Sequence, residues 1–252
     1  MKSARISVQM LAGIALGAAA PGLGASPDPA QLVTPLSSSS DAHLPAPWQI
    51  VTLPKIPRHT QYEVVTIDGR RAVKATAEAS YANVVHRLNA DVTATPRLQF
   101  SWRVDRFPAQ SDLAVKAGDD LAAKVCVLFD LPLSQLGFFD RLKIQLGRRL
   151  FKLDLPAATV CYLWDRTLPP GTWLPNAYTD RVRMLVLRSA AAGEQGQWYD
   201  EQRDLRADFQ QAFGDEARGI LPPVQAVAFA TDADNTGDRA LAYFGDISLV
   251  AP

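Results

Sequence analysis

Short runs of strand-forming residues, separated by turn residues along most of the chain, constrain the fold more than any other feature of this sequence. In Arg97–Val104 apolar and polar residues alternate, so that one face of a strand is apolar. That face carries Leu98, Phe100, Trp102 and Val104. Similar runs lie at 84–88, 122–130, 158–164, 181–188, 197–203, 224–231 and 240–250. About ten short strands of this kind predict an all-β fold, an antiparallel β-sandwich or jelly roll, over residues 47–252 as a single domain.

Local signals add one hairpin and two accessory helices to this sandwich. Asp68-Gly69 separates Gln61–Ile67 from Arg71–Ala77, and such a dipeptide supplies the positive φ that a tight hairpin turn needs. Residues 134–150 carry apolar side chains at helical spacing with basic residues between them, which predicts an amphipathic helix. It covers one end of the sandwich or, in the alternative interpretation, lies on a membrane surface. A second helix is expected over Leu205–Phe213, with Gly214 ending it.

The N-terminal part is predicted to be an export signal. Two basic residues within Met1–Arg5 precede an apolar stretch, and Pro21-Gly22 ends that stretch before small residues. Residues 1–25 are therefore predicted to be a signal peptide, and the Pro- and Ser-rich residues 26–46 a flexible linker. The alternative is a retained anchor, but the apolar stretch is shorter than the ~20 residues of a membrane span. A periplasmic or secreted protein with no membrane span after signal cleavage is expected.

The charge balance excludes one class of partner. Lys plus Arg equals Asp plus Glu, at 26 each, so the chain lacks the basic footprint of a nucleic-acid-binding protein. The three histidines are scattered and show no metal-ligand spacing. The only cysteines, Cys126 and Cys161, lie in two strand-like runs. They are candidates for a disulfide in an oxidising compartment, or for two buried free thiols.

Acidic residues dominate one loop, Thr231–Asp238. Its alternating carboxylates Asp232 and Asp234 resemble the start of a calcium loop, although the glutamate that would close an EF-hand is missing. No cofactor is required by any motif, and calcium is the candidate ion. The other interpretations are a polar hairpin loop that caps its own backbone and a loop that binds a sugar or an anion. In each binding interpretation Asn235 and Asp238 are further candidate ligands.

Three more aspartates are candidates. Asp119 and Asp120 precede a strand and could provide acid–base chemistry or cap a turn, but adjacent strand residues point to opposite faces, so only one is expected in any one site. Asp246 interrupts an apolar strand, where a carboxylate is costly unless it is paired. We expect it to be buried and paired with an arginine such as Arg103, or with calcium. If 231–238 turns a hairpin, Asp246 belongs to a different site from Asp232.

Tryptophans are candidates for sugar stacking. Trp102 ends an alternating strand and is assigned to the core, whereas Trp173 lies in the Pro-rich stretch Leu168–Asn176 and is the better candidate for a ligand contact. The sequence contains no G-x-S-x-G, no P-loop, no H-E-x-x-H and no Rossmann fingerprint. No catalytic residue is therefore assigned.

Several stretches together resemble a bacterial family of exported proteins known as domain-of-unknown-function family 3047. They are Phe100–Asp105, Gly118–Val125, Tyr162–Trp164, Trp198 to Gly214, Thr231–Gly237 and Gly245–Ile247. The sequence departs from the family at Phe100, Lys124 and Cys161, where tryptophan, arginine and asparagine are expected. The resemblance implies an exported domain and brings no activity with it.

Three functions are compatible with these patterns. The favoured one is a ligand-binding sandwich resembling carbohydrate-binding domains, which takes a glycan or a similar polar ligand. A glycan or a cell-envelope polymer is the expected partner. The alternatives are a glycan-acting hydrolase or lyase that uses paired aspartates, and a structural envelope protein. Fold analogy alone does not decide among them.

Overall fold

Two β-sheets packed face to face form the body of the protein, as expected from the alternating strands. The computed structural model describes residues 32–53, 56–94, 96–136, 141, 157–216 and 219–250. Both the predicted signal peptide and most of the predicted helix at 134–150 lie outside these residues. None of the helices in the described ranges has the length and hydropathy needed to cross a membrane.

The larger sheet has seven strands in the order β1-β4-β11-β6-β7-β9-β8. Their bounds are β1 Gln49–Val51, β4 Asn83–Ala90, β11 Val224–Ala230, β6 Ala123–Phe129, β7 Ala158–Asp165, β9 Thr179–Ser189 and β8 Trp173–Asn176. Neighbours pair antiparallel except for β7 and β9, which run parallel. Cys126 lies directly opposite Cys161 in the β6–β7 pair, and the two form a disulfide.

The smaller sheet has five antiparallel strands in the order β10-β5-β12-β3-β2. Their bounds are β10 Tyr199–Asp204, β5 Arg97–Arg106, β12 Arg239–Val250, β3 Arg70–Glu78 and β2 Gln61–Ile67. The predicted hairpin joins β2 to β3, and both Asp68 and Gly69 have positive φ. The helix α1, Leu205–Phe213, is confirmed, and the Asp204 carboxylate caps its first turn by accepting from two backbone N–H groups.

The core lies between the sheets and is rich in aromatic rings. The apolar face predicted for β5 is buried there, and the Trp102 and Trp164 ring centroids are 5.6 Å apart. Phe229 of β11 meets Phe244 of β12 across the same gap, at 4.6 Å. Trp102 is a core residue as assigned, fully buried, with its indole N–H donating to Glu201.

The described part of the predicted linker, residues 32–46, is not a linker. Val33 and Leu36 are buried in the inter-sheet core, and a short 3-10 turn spans Leu36–Ser38. The composition was misleading here because two apolar side chains are enough to dock a polar segment against an existing core. This stretch therefore belongs to the folded domain.

Candidate functional site

Polar side chains from three loops meet at one end of the sandwich. The loop 118–122 leads into β6, the loop 231–238 follows β11, and the turn at 176–178 joins β8 to β9. Ala230, the last residue of β11, lies opposite Lys124 of β6, so the loops beside these two residues share one end of the sheet. Four aspartates and one lysine meet here, and we call them together the carboxylate cluster: Asp119, Asp120, Asp232, Asp234 and Lys124.

The loop 231–238 does not turn a hairpin. It connects β11 in the larger sheet to β12 in the smaller one, so the two strands are not neighbours. The hairpin considered in the sequence analysis is therefore wrong. A loop that crosses between two sheets and a loop that turns a hairpin have similar turn-forming residues, so the sequence did not distinguish them. The crossing places Asp232 and Asp234 beside Asp119 and Asp120, which the sequence treated as a separate candidate pair.

Asp232 forms a buried ion pair with Lys124. The Lys124 ammonium is 2.6 Å from one Asp232 carboxylate oxygen, and the Leu121 backbone N–H donates to the other at 2.6 Å. Burial raises the pKa of Asp232 to about 7, and the Lys124 charge offsets part of the rise. Both oxygens accept hydrogen bonds, so Asp232 holds the loop together, and the positive charge of the adjacent Lys124 ammonium opposes the binding of calcium at this carboxylate.

Asp120 organises the tip of the same loop. Its fully buried carboxylate accepts from the backbone N–H groups of Asn235 and Thr236, at 3.0 and 2.8 Å, and from the Thr236 hydroxyl. Asp119 and Asp120 were expected to point to opposite faces of a strand. They precede β6 in non-strand backbone instead, so both side chains enter the cluster.

Asp119 faces the β8–β9 turn. One of its oxygens accepts from the Asn176 side-chain amide at 2.9 Å, and its backbone oxygen accepts from Asn235. Burial raises the pKa of the Asp119 carboxyl. The Tyr178 hydroxyl donates to the Asn235 side-chain oxygen at 2.9 Å, and burial raises the pKa of Tyr178 to about 12. This turn therefore forms one wall of the cluster.

Asp234 differs from the other carboxylates of the cluster because no other described residue donates a hydrogen bond to its Oδ1. Its Oδ1 is buried and accepts no hydrogen bond from the described residues. Burial, followed by repulsion from Asp120, raises the pKa of Asp234 to about 6. Ten buried side-chain polar atoms of the described residues lack a hydrogen-bond partner, and Asp234 Oδ1 is the only carboxylate oxygen among them. A buried carboxylate oxygen without a partner is a place where a ligand, an ion or a water can bind.

Five contributors to the site were missed by the sequence analysis: Lys124, Tyr81, Asn83, Asn176 and Tyr178. The Asn83 amide donates to the Tyr81 hydroxyl at 2.7 Å, and the Lys124 ammonium lies 5.2 Å from the Tyr81 ring centroid. One signal was available, because Lys124 is the only charged residue in the apolar strand β6. The tyrosines and asparagines carry no comparable signal.

The structure does not bring the other candidate ligands into the cluster. Asp238 accepts from the backbone N–H groups of Ala109 and Arg239, so it caps local backbone. Trp173 lies in β8, not in a loop, and is half-buried against the inter-sheet core. In the described ranges, no three His, Cys, Asp or Glu side chains are arranged to hold a metal ion. Calcium binding stays an untested prediction.

The expected pair of Asp246 with Arg103 is wrong. Asp246 is exposed, and its carboxylate accepts from the backbone N–H and hydroxyl of Ser37. Arg103 pairs with Asp105 and Asp68, both at 2.6 Å. The pairing of β12 with β5 shifts register between Phe244 and Ile247. The irregularity turns Asp246 away from the core, which strict alternation along the strand could not predict.

The comparisons with known proteins agree with the resemblance noted from the sequence. None of the curated proteins compared with the chain matches it. A family model described as "Protein of unknown function (DUF3047)" matches residues 46–248, a stretch that includes every strand from β1 to β11 and the carboxylate cluster. The chain therefore belongs to this family.

Proposed function

We propose that the protein binds a hydroxyl-rich polar ligand, a glycan or a similar cell-envelope polymer, at the carboxylate cluster. The observation that carries the proposal is the buried Asp234 Oδ1, which accepts no hydrogen bond from the described residues. Leaving such an atom unpaired costs about 1–3 kcal/mol, so a ligand group that donates to it gains a favourable contact.

Two side chains with unused donor hydrogens, Lys124 and Tyr81, lie close enough to Asp234 to interact electrostatically with it. Among the described residues, the Lys124 ammonium donates only to Asp232, although it carries three hydrogens. The Tyr81 hydroxyl accepts from Asn83 and donates to no described residue. Sugar hydroxyls both donate and accept, so a row of them matches a site in which free donors and free acceptors are mixed. A simple anion or cation would use only one of the two kinds.

An enzyme is the second candidate, and one observation favours it. The pKa of Asp234 is raised to about 6, and burial also raises the pKa of the neighbouring Asp119. A carboxyl group with a raised pKa is what general acid catalysis of glycosidic cleavage requires. In this interpretation Asp234 donates the proton and a second carboxylate activates water or stabilises the developing positive charge.

Export to the periplasm or outside the cell is part of the same proposal. The support comes from the signal-like residues 1–25 and from the disulfide between Cys126 and Cys161. Disulfides persist in oxidising compartments and are rare in the cytosol of most organisms. A glycan or envelope polymer would be the accessible ligand in such a compartment.

Glycan-array binding followed by calorimetry tests the proposal. Wild-type protein is compared with Asp234→Asn and Asp119→Asn, and with Asp200→Asn as the control, because Asp200 is an exposed aspartate on β10. We expect binding by wild type and the control, and at least about tenfold weaker binding by Asp234→Asn, the loss of one charged hydrogen bond. Equal affinity in all four proteins would overturn the proposed site.

Two further arms separate the alternatives. Repeating the titrations in EDTA and in excess calcium shows whether an ion takes part, and a calcium-dependent affinity would assign Asp234 to metal binding. Chromatography of the oligosaccharides after overnight incubation detects cleavage. Shortened products with wild type but not with Asp234→Asn would establish the enzyme.

A further inference from the structure

Residues 32–46 form a strap that crosses from the larger sheet to the open edge of the smaller one. All but the last of these residues lie N-terminal to the stretch matched by the family model. Leu36 is fully buried and Val33 nearly so, and both belong to the inter-sheet core. The strap is therefore a docked segment of the fold whose polar contacts decide how firmly it stays in place.

Near its N-terminal end the strap is hydrogen-bonded to a histidine of β4. The Thr34 backbone N–H donates to His86 Nε2 at 3.1 Å, and the Trp48 indole N–H donates to the Thr34 carbonyl at 2.8 Å. His86 is 4% exposed, and the Trp48 ring lies edge-on at 5.0 Å. Because Nε2 is the acceptor, His86 is neutral whenever this bond is formed.

At its other end the strap covers a sheet edge. The Val64 backbone N–H of β2, the outermost strand of the smaller sheet, donates to the Ala42 carbonyl at 2.8 Å. Arg71 donates to the Asp41 carbonyl, and Ser37 donates to the Asp246 carboxylate. An uncovered edge strand presents unpaired N–H and C=O groups to other chains, and covering it with a segment of the same chain prevents such pairing.

We propose that the strap is a pH-sensitive closure, docked over the β2 edge while His86 is neutral and released when His86 is protonated. Protonation places a hydrogen on Nε2, removes the acceptor for the Thr34 N–H and leaves a charge in an apolar site. The Trp48 ring packs against His86, and the Phe229 ring packs against Trp48. The hydrogen-bonding atoms of the described residues near His86 Nε2 are the Thr34 backbone N–H and hydroxyl, and none of these contacts offers His86 a carboxylate. Alternation along β4 turns the adjacent Arg87 to the opposite face, and the Asp41–His43 pair of the strap is exposed.

Linkage gives the direction of the pH effect. Burial lowers the pKa of His86 below its usual value of 6.5. A depressed histidine pKa stabilises the docked strap above pH 6.5, and this contribution is lost as the pH falls through the folded-state pKa. One proton limits the effect to about tenfold in the docking equilibrium per pH unit.

Hydrogen exchange of the full chain, expressed as protection factors, tests the proposal between pH 7.5 and 5.0. We expect protection of the Thr34 and Val64 amides to fall by more than threefold across this range, while the β5 amides stay protected. His86→Gln keeps a side-chain acceptor that does not titrate, so its strap protection should not change with pH. His43→Gln and His59→Gln replace the other two histidines and should behave like wild type. Asp234→Asn should also behave like wild type, although Asp234 titrates in the same range.

Two results would overturn the inference. One is a wild-type strap whose protection at pH 5.0 equals that at pH 7.5, and the other is a His86→Gln strap that opens on acidification as wild type does. If His86→Gln does not fold, the His86 ring titration followed by NMR in wild type replaces it. The midpoint of strap opening must then coincide with the His86 titration, and a difference of more than one pH unit contradicts the proposal.

Discussion

The loop 231–238 and the register shift at Gly245–Asp246 both place an aspartate beside an apolar strand, yet the two carboxylates lie in opposite environments. Asp232 is 2% exposed and bonded to a lysine that is itself mostly buried. Asp246 is exposed and bonded to the strap through Ser37. In the sequence Asp246 is the residue that interrupts an apolar strand, and Asp232 is the one in a polar loop.

The difference shows that the path of the backbone, not the polarity of the neighbours, decides where a carboxylate goes. The loop crosses between the sheets, so its first residues continue into the buried end of the sandwich, where Lys124 supplies the countercharge. At Asp246 the register shift turns one strand residue outward. An isolated buried charge costs several kcal/mol, so the first arrangement needs Lys124 and the second needs no charged partner.

Replacing Asp232 and Asp246 in turn by alanine should produce the largest difference in stability. Asp232→Ala leaves Lys124 as a buried charge without its partner, and we expect a loss of about 3–5 kcal/mol in the free energy of unfolding. Asp246→Ala removes only exposed contacts with Ser37, so its loss should be a small fraction of that value. Urea denaturation of both variants at pH 7.5 measures the difference.

A matched double variant shows whether the stranded charge is the cause. Lys124→Met combined with Asp232→Leu removes both members of the ion pair and should recover most of the stability lost in Asp232→Ala. If the double variant is as unstable as the single one, packing or the Leu121 hydrogen bond explains the loss instead. Equal losses in Asp232→Ala and Asp246→Ala would contradict the comparison itself.

The disulfide should contribute the next largest effect, and it acts on the Asp232 region. Cys126 follows Lys124 by two residues on β6, and the bridge joins β6 to β7 across 35 residues of sequence. Closing a loop of this length stabilises a fold by about 2–4 kcal/mol. Urea midpoints of the oxidised and reduced protein measure the contribution. Identical midpoints, with the reduced state verified by thiol labelling, would show that strand pairing alone holds β6 in place.

Much of the fold could be predicted from the sequence, because alternation and turn chemistry act locally. The apolar face of β5, the Asp68-Gly69 turn and the helix at Leu205–Phe213 each depend on neighbours within a few residues, and all three are confirmed. The prediction of a flexible linker over the strap was wrong, because docking of the strap depends on contacts of Val33 and Leu36 with a core built from distant strands. The amino-acid composition of the segment shows only that most of the residues around Val33 and Leu36 are polar.

The site was only half predictable for a similar reason. The aspartates of the cluster could be selected from the sequence, but their grouping could not, since Asp120 and Asn235 are 115 residues apart in the chain. Adjacent residues in a strand point to opposite faces, so the sequence argued against a shared site for Asp119 and Asp120. The backbone before β6 is not a strand, and both side chains therefore reach the cluster. Which aspartates are structural and which is free depends on hydrogen bonds made only in three dimensions.

Asp120→Asn should have a moderate effect on both stability and binding. An amide cannot accept on both sides, so at least one donor of the group Asn235 N–H, Thr236 N–H and Thr236 hydroxyl loses its partner. We expect a loss of about 1–3 kcal/mol in stability and weaker glycan binding, because the loop that carries Asp234 is less well fixed. Asp238→Asn, in the same loop, is the control. If the control lowers binding as much, general loosening of the loop is responsible.

Asp234→Asn should give the smallest change in stability, and at high pH a gain. The pKa of Asp234 is raised to about 6 from an ordinary value of 3.8, so the folded state holds this proton more tightly than the unfolded state does. The stabilising contribution of the protonated group is complete at low pH and is lost as the pH rises through about 6. Above that pH the ionised carboxylate opposes folding, and a neutral amide removes the opposition. Urea unfolding of wild type and Asp234→Asn at pH 5.0 and 8.0 should therefore show that the variant becomes more stable relative to wild type as the pH rises.

Ligand affinity should fall in the same variant, which is the pattern of a residue kept for binding and not for folding. A variant that is less stable than wild type at pH 8.0 would place Asp234 with Asp232 among the structural carboxylates.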